Sequence, residues 1–204
     1  MTAGAWAPLL AGLGDLRLVL AGTAAGAGFL AYRRDFELAR AFVIGILLCM
    51  AATAALKIIG LVLEHWPAGA LIGSPSGHAA LATAFGGSIA LVLSHNRSME
   101  VRWFLAGCVA LAISAVAFSR IDNGAHTLFE VMEGILAGLA GLVPLAILLG
   151  RCGTVESQDA VPAWPFIMLL VLIVVLHEGL GLRDLDTEAV VRLLANMLPA
   201  ASHH

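Results

Sequence analysis

The sequence reads Ser119-Arg120-Ile121-Asp122-Asn123-Gly124-Ala125-His126-Thr127-Leu128-Phe129-Glu130 between two long apolar runs. We call this stretch the second polar segment. The first polar segment, Gly73-Ser74-Pro75-Ser76-Gly77-His78, lies at the start of another apolar run. Ionisable groups at membrane depth are costly and usually face the interior of a helix bundle. We therefore expect the two segments to meet at one end of such a bundle and to form a shared anion site.

The composition indicates an integral membrane protein. The chain has 204 residues, of which 60% are hydrophobic and 12% are charged, whereas a soluble domain has about 25% charged residues. The net charge of -3 provides no basic face, so no nucleic-acid partner is expected. Three cysteines lie in or beside apolar runs and fit no zinc motif,. The length suits one bundle, and residues 1–204 are predicted to form a single domain.

Six apolar runs approach the length of about 20 residues that a helix needs to span a bilayer. They cover approximately Leu9–Tyr32, Ala41–Leu63, Ser76–Ser94, Trp103–Phe118, Leu128–Gly150 and Trp164–Leu182. Backbone groups in hydrocarbon must be bonded internally, and barrel strands would alternate polar residues. The predicted fold is therefore all-α, an integral membrane bundle of six transmembrane helices. Residues 183–204 are expected to form an amphipathic tail.

Arginines between the runs predict the orientation. If the six helices alternate in direction, one face receives Arg33, Arg34, Arg40, Arg97, Arg102 and Arg151. The positive-inside rule places that face in the cytoplasm. Both polar segments, and both termini, are then predicted on the extracytoplasmic side.

His126 and Glu130 are four residues apart and would share one face of a helix. A carboxylate in that position can accept the proton of one ring nitrogen and leave the other nitrogen as a nucleophile. Asp122 is a less favourable partner because a glycine-containing turn separates it from His126. The spacing equally fits an acid that stabilises the start of a helix. Both interpretations of Glu130 stay open.

The first polar segment has the features of a helix N-terminus. Pro75 suits the first turn, and Ser74 or Ser76 can cap it. Free backbone N–H groups at such a terminus bind anions, and Gly77 lets a ligand approach the backbone. His78 would then be close enough to protonate a leaving oxygen. A capped helix with a chance histidine is the alternative.

These residues resemble a known family. Pro75-Ser76-Gly77-His78, followed by Ser119-Arg120, five residues, His126, three residues and an acid, resembles the type 2 phosphatidic acid phosphatase superfamily. The block that ends in His78 matches fully. The next block matches in its spacing, with Glu130 where the family usually has Asp.

The first block of the family pattern differs here. It is usually a Lys, six residues and then Arg-Pro, whereas Lys57 is followed at that distance by Glu64 and His65. His65 is therefore the candidate replacement for the family's first Arg, and the resemblance covers roughly residues 57–130.

The resemblance implies an enzyme that needs no metal and no cofactor. His126 would attack phosphorus and form a phosphohistidine, Glu130 would orient it, and His78 would protonate the leaving group and later help to activate water. The phosphate oxygens would be held by Lys57, Ser76, Gly77 and Arg120, with His65 and Ser119 as further candidates.

The small loops and the closeness of the site to the bilayer favour a lipid phosphate or a polyprenyl diphosphate as the substrate. The predicted location is the bacterial cytoplasmic (inner) membrane, with the site facing the periplasm or the exterior and with membrane lipids as partners. Two alternatives stay open. One is a lipid phosphotransferase that uses the same site, and the other is a non-catalytic lipid-phosphate binder or transporter.

Overall fold

Five helices form most of the structure. The computed structural model describes residues 14–63, 74–95, 97–151 and 168. The helices are α1 (Leu16–Tyr32), α2 (Phe36–Leu63), α3 (Gly77–Ser94), α4 (Met99–Asp122) and α5 (Leu128–Arg151). No strand occurs among the described residues, which confirms an all-α fold for this part of the chain.

Helices α2, α3, α4 and α5 are long and apolar enough to cross a membrane, whereas α1 is a shorter apolar helix. A chain with several helices of this kind is a multi-pass membrane protein. The predicted sixth span lies outside the described residues apart from Met168. Residues 1–13 and the predicted tail, 183–204, also lie outside them.

The helices extend further than their apolar runs. Helix α2 begins at Phe36 rather than at Ala41, because the carboxylate of Asp35 accepts a hydrogen bond from the N–H of Leu38 at 3.2 Å and caps the first turn,. Glu37 and Arg40, expected in a loop, therefore lie in α2, where their exposed side chains form an ion pair at 2.6 Å.

Helix directions alternate, but α1 and α3 run side by side in the same direction. Gly14, just before α1, lies against the backbone of His78, and Gly22 further along lies against the ring of Phe85. The starts of α1, α3 and α5 and the ends of α2 and α4 consequently share one end of the bundle. We call this the site end.

Helix α3 is the centre of the bundle and contacts all four other helices. In its apolar window 56% of the residues are buried, compared with 11% in α4. Only Val116 and Ser119 of α4 are buried. The outward side chains of α4 include Trp103, Phe104, Leu111 and Phe118.

Glycines allow α5 to approach α3 closely. A Cβ on Gly134 would overlap the carbonyl oxygen of Ser76, and a Cβ on Gly138 would lie 2.5 Å from the Cβ of Thr83. Small residues at this spacing let helix backbones come into contact. The start of α5, which belongs to the second polar segment, is therefore pressed against the start of α3.

Candidate active site

The two polar segments meet through Glu130. The backbone carbonyl of Glu130 accepts a hydrogen bond from the N–H of Ser76 at 2.9 Å. Its carboxylate accepts another from the N–H of Ser74 at 3.2 Å. These two hydrogen bonds join the residues just before α3 to the first turn of α5.

Glu130 also closes a capping box at the start of α5. The N–H of Thr127 donates to Glu130 Oε2 at 2.8 Å, and the N–H of Glu130 donates to Thr127 Oγ1 at 3.3 Å. This reciprocal pair satisfies two N–H groups that a helix start leaves without partners. The interpretation of Glu130 as a helix-start acid is therefore correct.

The same carboxylate contacts His126. Nδ1 of His126 lies 3.4 Å from Glu130 Oε2, and the His126 side chain is 7% exposed. This separation exceeds the usual N–H···O range, so the pair is a charge contact rather than a formed hydrogen bond. The two interpretations of Glu130 do not exclude each other, because one carboxylate caps α5 and faces the imidazole.

The turn after α4 presents His126 to the site. The N–H groups of Ala125 and His126 both donate to the carbonyl oxygen of Arg120, at 3.1 and 3.2 Å. Gly124 has a φ of +66°, in the left-handed region that glycine adopts without strain. The backbone thereby folds back on the last turn of α4.

Burial lowers the pKa of the His126 imidazole below its ordinary value. The carboxylate of Glu130 acts in the opposite direction, and the positive charges of Arg120 and Lys57 lower the pKa further. An imidazole that stays neutral keeps a nitrogen lone pair available as a nucleophile.

His78 lies in the first turn of α3, directly after the N-cap residue Ser76. Ser76 is fully buried, and its hydroxyl oxygen accepts a long hydrogen bond of 3.5 Å from the N–H of Ala79. The charges that act on His78 include those of Arg120, Lys57 and His126. The structure therefore brings both imidazoles and both predicted cations into one electrostatic cluster.

The two cations reach this cluster from different helices. Lys57 is 4% exposed near the end of α2. Nε of Arg120 is buried and has no hydrogen-bond partner among the described residues. Buried donors in folded proteins are nearly always paired, so Arg120 offers an unused donor for an anion at the site end.

The other predicted site residues differ in position. Gly77 is half-buried at the first position of α3, and Ser119 is 2% exposed in the last turn of α4. His65 lies outside the described residues. Asp122 is exposed at the end of α4, as expected for the less favourable partner of His126.

One residue of this region was missed by sequence reasoning. Asp15, which interrupts the first apolar run, is 1% exposed and its charge acts on His78. The available signal was an Asp followed at once by a helix-forming run, which is typical of an N-cap. That signal predicts a helix start but not a neighbour of His78. In the described ranges, no three His, Cys, Asp or Glu side chains are grouped as ligands of a metal ion.

The fold and this site together define a multi-pass helical membrane protein with a cationic and imidazole-lined cluster at one end of its bundle. Comparison with family models gives the family: residues 64–153 match the model described as the PAP2 superfamily. The match confirms the resemblance found in the sequence. It includes both histidines, Arg120 and Glu130, whereas Lys57 precedes it.

A similar curated protein is described as "Uncharacterized 22.5 kDa protein in cps region" of Klebsiella pneumoniae. The two chains are 33% identical over 108 residues, which make up 51% of this chain and 50% of the relative. The match thus spans about half the length of each protein. No solved structure matches the chain significantly.

Proposed function

We propose that this protein is an integral membrane phosphatase that removes phosphate from a lipid phosphate or a polyprenyl diphosphate through a phosphohistidine. The observation that carries the proposal is the cluster at the site end, where two imidazoles lie with Lys57 and with an Arg120 whose Nε donor is unused. Positive groups and free donors of this kind stabilise the charge that develops on a transferring phosphoryl group. The family match over both histidines supports the same chemistry.

The first step is the attack of His126 on phosphorus. Because Nδ1 faces Glu130, Nε2 is the nucleophile. The new P–N bond forms as the bond from phosphorus to the leaving oxygen breaks, and the electron pair of that bond stays on the oxygen. His78 donates its proton to this oxygen, so that the product leaves as a neutral alcohol or as a protonated phosphate.

The second step is hydrolysis of the phosphohistidine. His78, now neutral, takes a proton from a water molecule as the water oxygen attacks phosphorus. The P–N bond breaks, its electron pair returns to Nε2 of His126, and inorganic phosphate is released. Glu130 keeps the ring in the same orientation through both steps, which is the role that its contact with Nδ1 supports.

An apolar cavity of about 380 Å³ favours a lipid substrate. It lies between α3, α4 and α5, and its lining includes Thr83, Gly87, Val109 and Leu142. Thr83 is five residues beyond His78, or roughly 7.5 Å at the rise of an α-helix. A phosphate at the site end and an apolar chain along the same helices would fit one amphiphilic molecule.

The charges at the opposite end support an extracytoplasmic site. Arg33 and Arg34 follow α1, and Arg97 and Arg102 flank the start of α4. The positive-inside rule places these arginines in the cytoplasm. In the inner membrane of a bacterium, the site end would then face the periplasm or the exterior.

The test is phosphate release by the purified full-length chain in detergent. The substrates are dioctanoyl phosphatidic acid and a short polyprenyl diphosphate, each assayed with and without EDTA. We expect release of inorganic phosphate from at least one substrate at the same rate in both conditions. Loss of turnover in EDTA would refute the metal-independent mechanism.

The fate of the phosphoryl group separates the two alternatives. With phosphorus-32 in the substrate, a phosphatase releases labelled inorganic phosphate, whereas a phosphotransferase produces a labelled lipid or alcohol acceptor. A non-catalytic binder would retain the unchanged labelled substrate and produce neither product.

A further inference from the structure

Asp15 is a buried carboxylate at the site end. It is 1% exposed, and a charge so far from water is costly unless it is hydrogen-bonded and matched by other charges. It caps α1 by accepting hydrogen bonds from the N–H groups of Arg17 and Leu18, at 2.8 and 3.3 Å. Both hydrogen bonds end on Oδ1, so the cap uses one of the two carboxylate oxygens.

The residue before Asp15 is in backbone contact with His78. A Cβ on Gly14 would overlap the carbonyl oxygen of His78 and would lie 2.8 Å from its Cα. Only a glycine permits this approach. The N-terminus of α1 is consequently fixed against the first turn of α3.

His78 is surrounded by charged groups from several elements. Lys57 acts on it from α2, Arg120 from α4, His126 from the turn before α5 and Asp15 from the start of α1. In the described part of the chain, Asp15 is the carboxylate among these groups. At the start of α5, Glu130 contacts the other imidazole, that of His126.

We propose that Asp15 is a positioning residue that holds the imidazole of His78 in its protonated form, ready to donate to the leaving oxygen. The proposal rests on the function proposed above. Lys57 and Arg120 both disfavour a positive charge on His78, and the anionic substrate is not yet bound when the proton must be in place. A fixed carboxylate offsets the two cations and favours the charged ring.

The step itself is a single proton transfer. The N–H bond of the His78 ring breaks, and the proton moves to the leaving oxygen as that oxygen takes the electron pair of its bond to phosphorus. Asp15 exchanges no proton. It acts on His78 through its charge and through the contact between Gly14 and His78.

The test uses Asp15→Asn, because asparagine caps helices as well as aspartate does and removes only the charge. Asp35→Asn is the matched control, since Asp35 caps α2 in the same way at the opposite end of the bundle. Both variants and the wild type are assayed with dioctanoyl phosphatidic acid and with p-nitrophenyl phosphate. The nitrophenolate group leaves readily without a proton, whereas the lipid product needs one.

We expect Asp15→Asn to lower kcat for the lipid substrate by roughly 10- to 100-fold and for p-nitrophenyl phosphate by less than about 3-fold, as for partial loss of a general acid. Asp35→Asn should leave both rates close to those of the wild type. An equal loss on both substrates in Asp15→Asn, or no loss on either, would overturn the proposal.

A second measurement does not depend on turnover. Nitrogen-15 NMR of histidine-labelled protein at about pH 6.5, the ordinary midpoint of histidine, reports the protonated share of each ring. The share for His78, assigned with His78→Ala, should be smaller in Asp15→Asn than in the wild type and unchanged in Asp35→Asn. If the wild type hydrolyses no phosphate ester, the proposed phosphatase function fails, and this NMR comparison alone decides whether Asp15 controls His78.

Discussion

The two histidines of the site obtain their carboxylate neighbours in different ways. His126 faces Glu130, four residues later in the chain, across the start of a single helix. His78 receives the charge of Asp15 from α1, a helix that is distant in sequence and packed alongside α3. One pairing is local and the other is tertiary. The difference implies that the nucleophile keeps its partner whenever α5 forms, whereas the proton donor keeps its partner only while the bundle is intact.

The largest expected effect distinguishes the two histidines by their roles. His126→Ala should lower turnover by more than about 10³-fold and abolish the phosphoenzyme, because the nucleophile is lost. His78→Ala should lower lipid turnover by roughly 10²- to 10⁴-fold, as for the loss of a general acid. With p-nitrophenyl phosphate it should still form the phosphoenzyme and accumulate it, since His78 also activates the water.

Acid quenching and alkaline gel analysis after reaction with a phosphorus-32 substrate measure the phosphoenzyme. His95→Ala is the control, because His95 lies beyond the other end of α3. A phosphoenzyme that persists in His126→Ala would show that the nucleophile is assigned to the wrong residue.

A substitution between α3 and α5 should disturb the tertiary pairing. Gly138→Ala would place a methyl group 2.5 Å from the Cβ of Thr83 and 2.6 Å from the carbonyl oxygen of Ala80. Overpacking of this kind costs about 1–3 kcal/mol, so we expect a lower Tm together with lower activity. The readout is thermal unfolding of the purified protein in detergent, followed by intrinsic tryptophan fluorescence.

Gly107→Ala is the matched control for that prediction. A Cβ at Gly107 meets no atom within 4 Å, and alanine is favoured over glycine in a helix by up to about 1 kcal/mol. Its Tm should therefore stay the same or rise. Equal Tm values for the two variants would contradict the close α3–α5 contact.

The smallest effect is a displacement of the pH profile. Because the pKa of His126 is held below its ordinary value of 6.5, the neutral nucleophile survives to lower pH. The acid limb of kcat/KM, which reports the free enzyme, should therefore have its midpoint below pH 6.5. Activity should be lost as the pH falls through that midpoint.

Glu130→Gln sharpens the same measurement. The Glu130 carboxylate favours the protonated ring, so its removal should move the acid limb to still lower pH while the plateau rate falls. A limb that moves to higher pH in Glu130→Gln would mean that another group controls it.

The sequence by itself determined the apolar helices, because hydrophobic runs of bilayer length have few alternatives in a membrane. It also determined the pairing of His126 with Glu130, since a separation of four residues brings side chains together at a helix start whatever the rest of the fold does. The double role of Glu130, as a cap of α5 and as a neighbour of His126, was visible in the spacing as two separate interpretations. It needed coordinates only to show that they coexist.

Tertiary structure alone decided the setting of His78. No spacing in the chain relates Asp15 to His78. Their approach depends on α1 packing parallel to α3 and on Gly14 admitting the backbone of His78. The neutral state of His126 is likewise a tertiary property, because burial has the largest influence on its pKa. Local geometry is encoded residue by residue, whereas burial and the charges across helices exist only once the bundle has assembled.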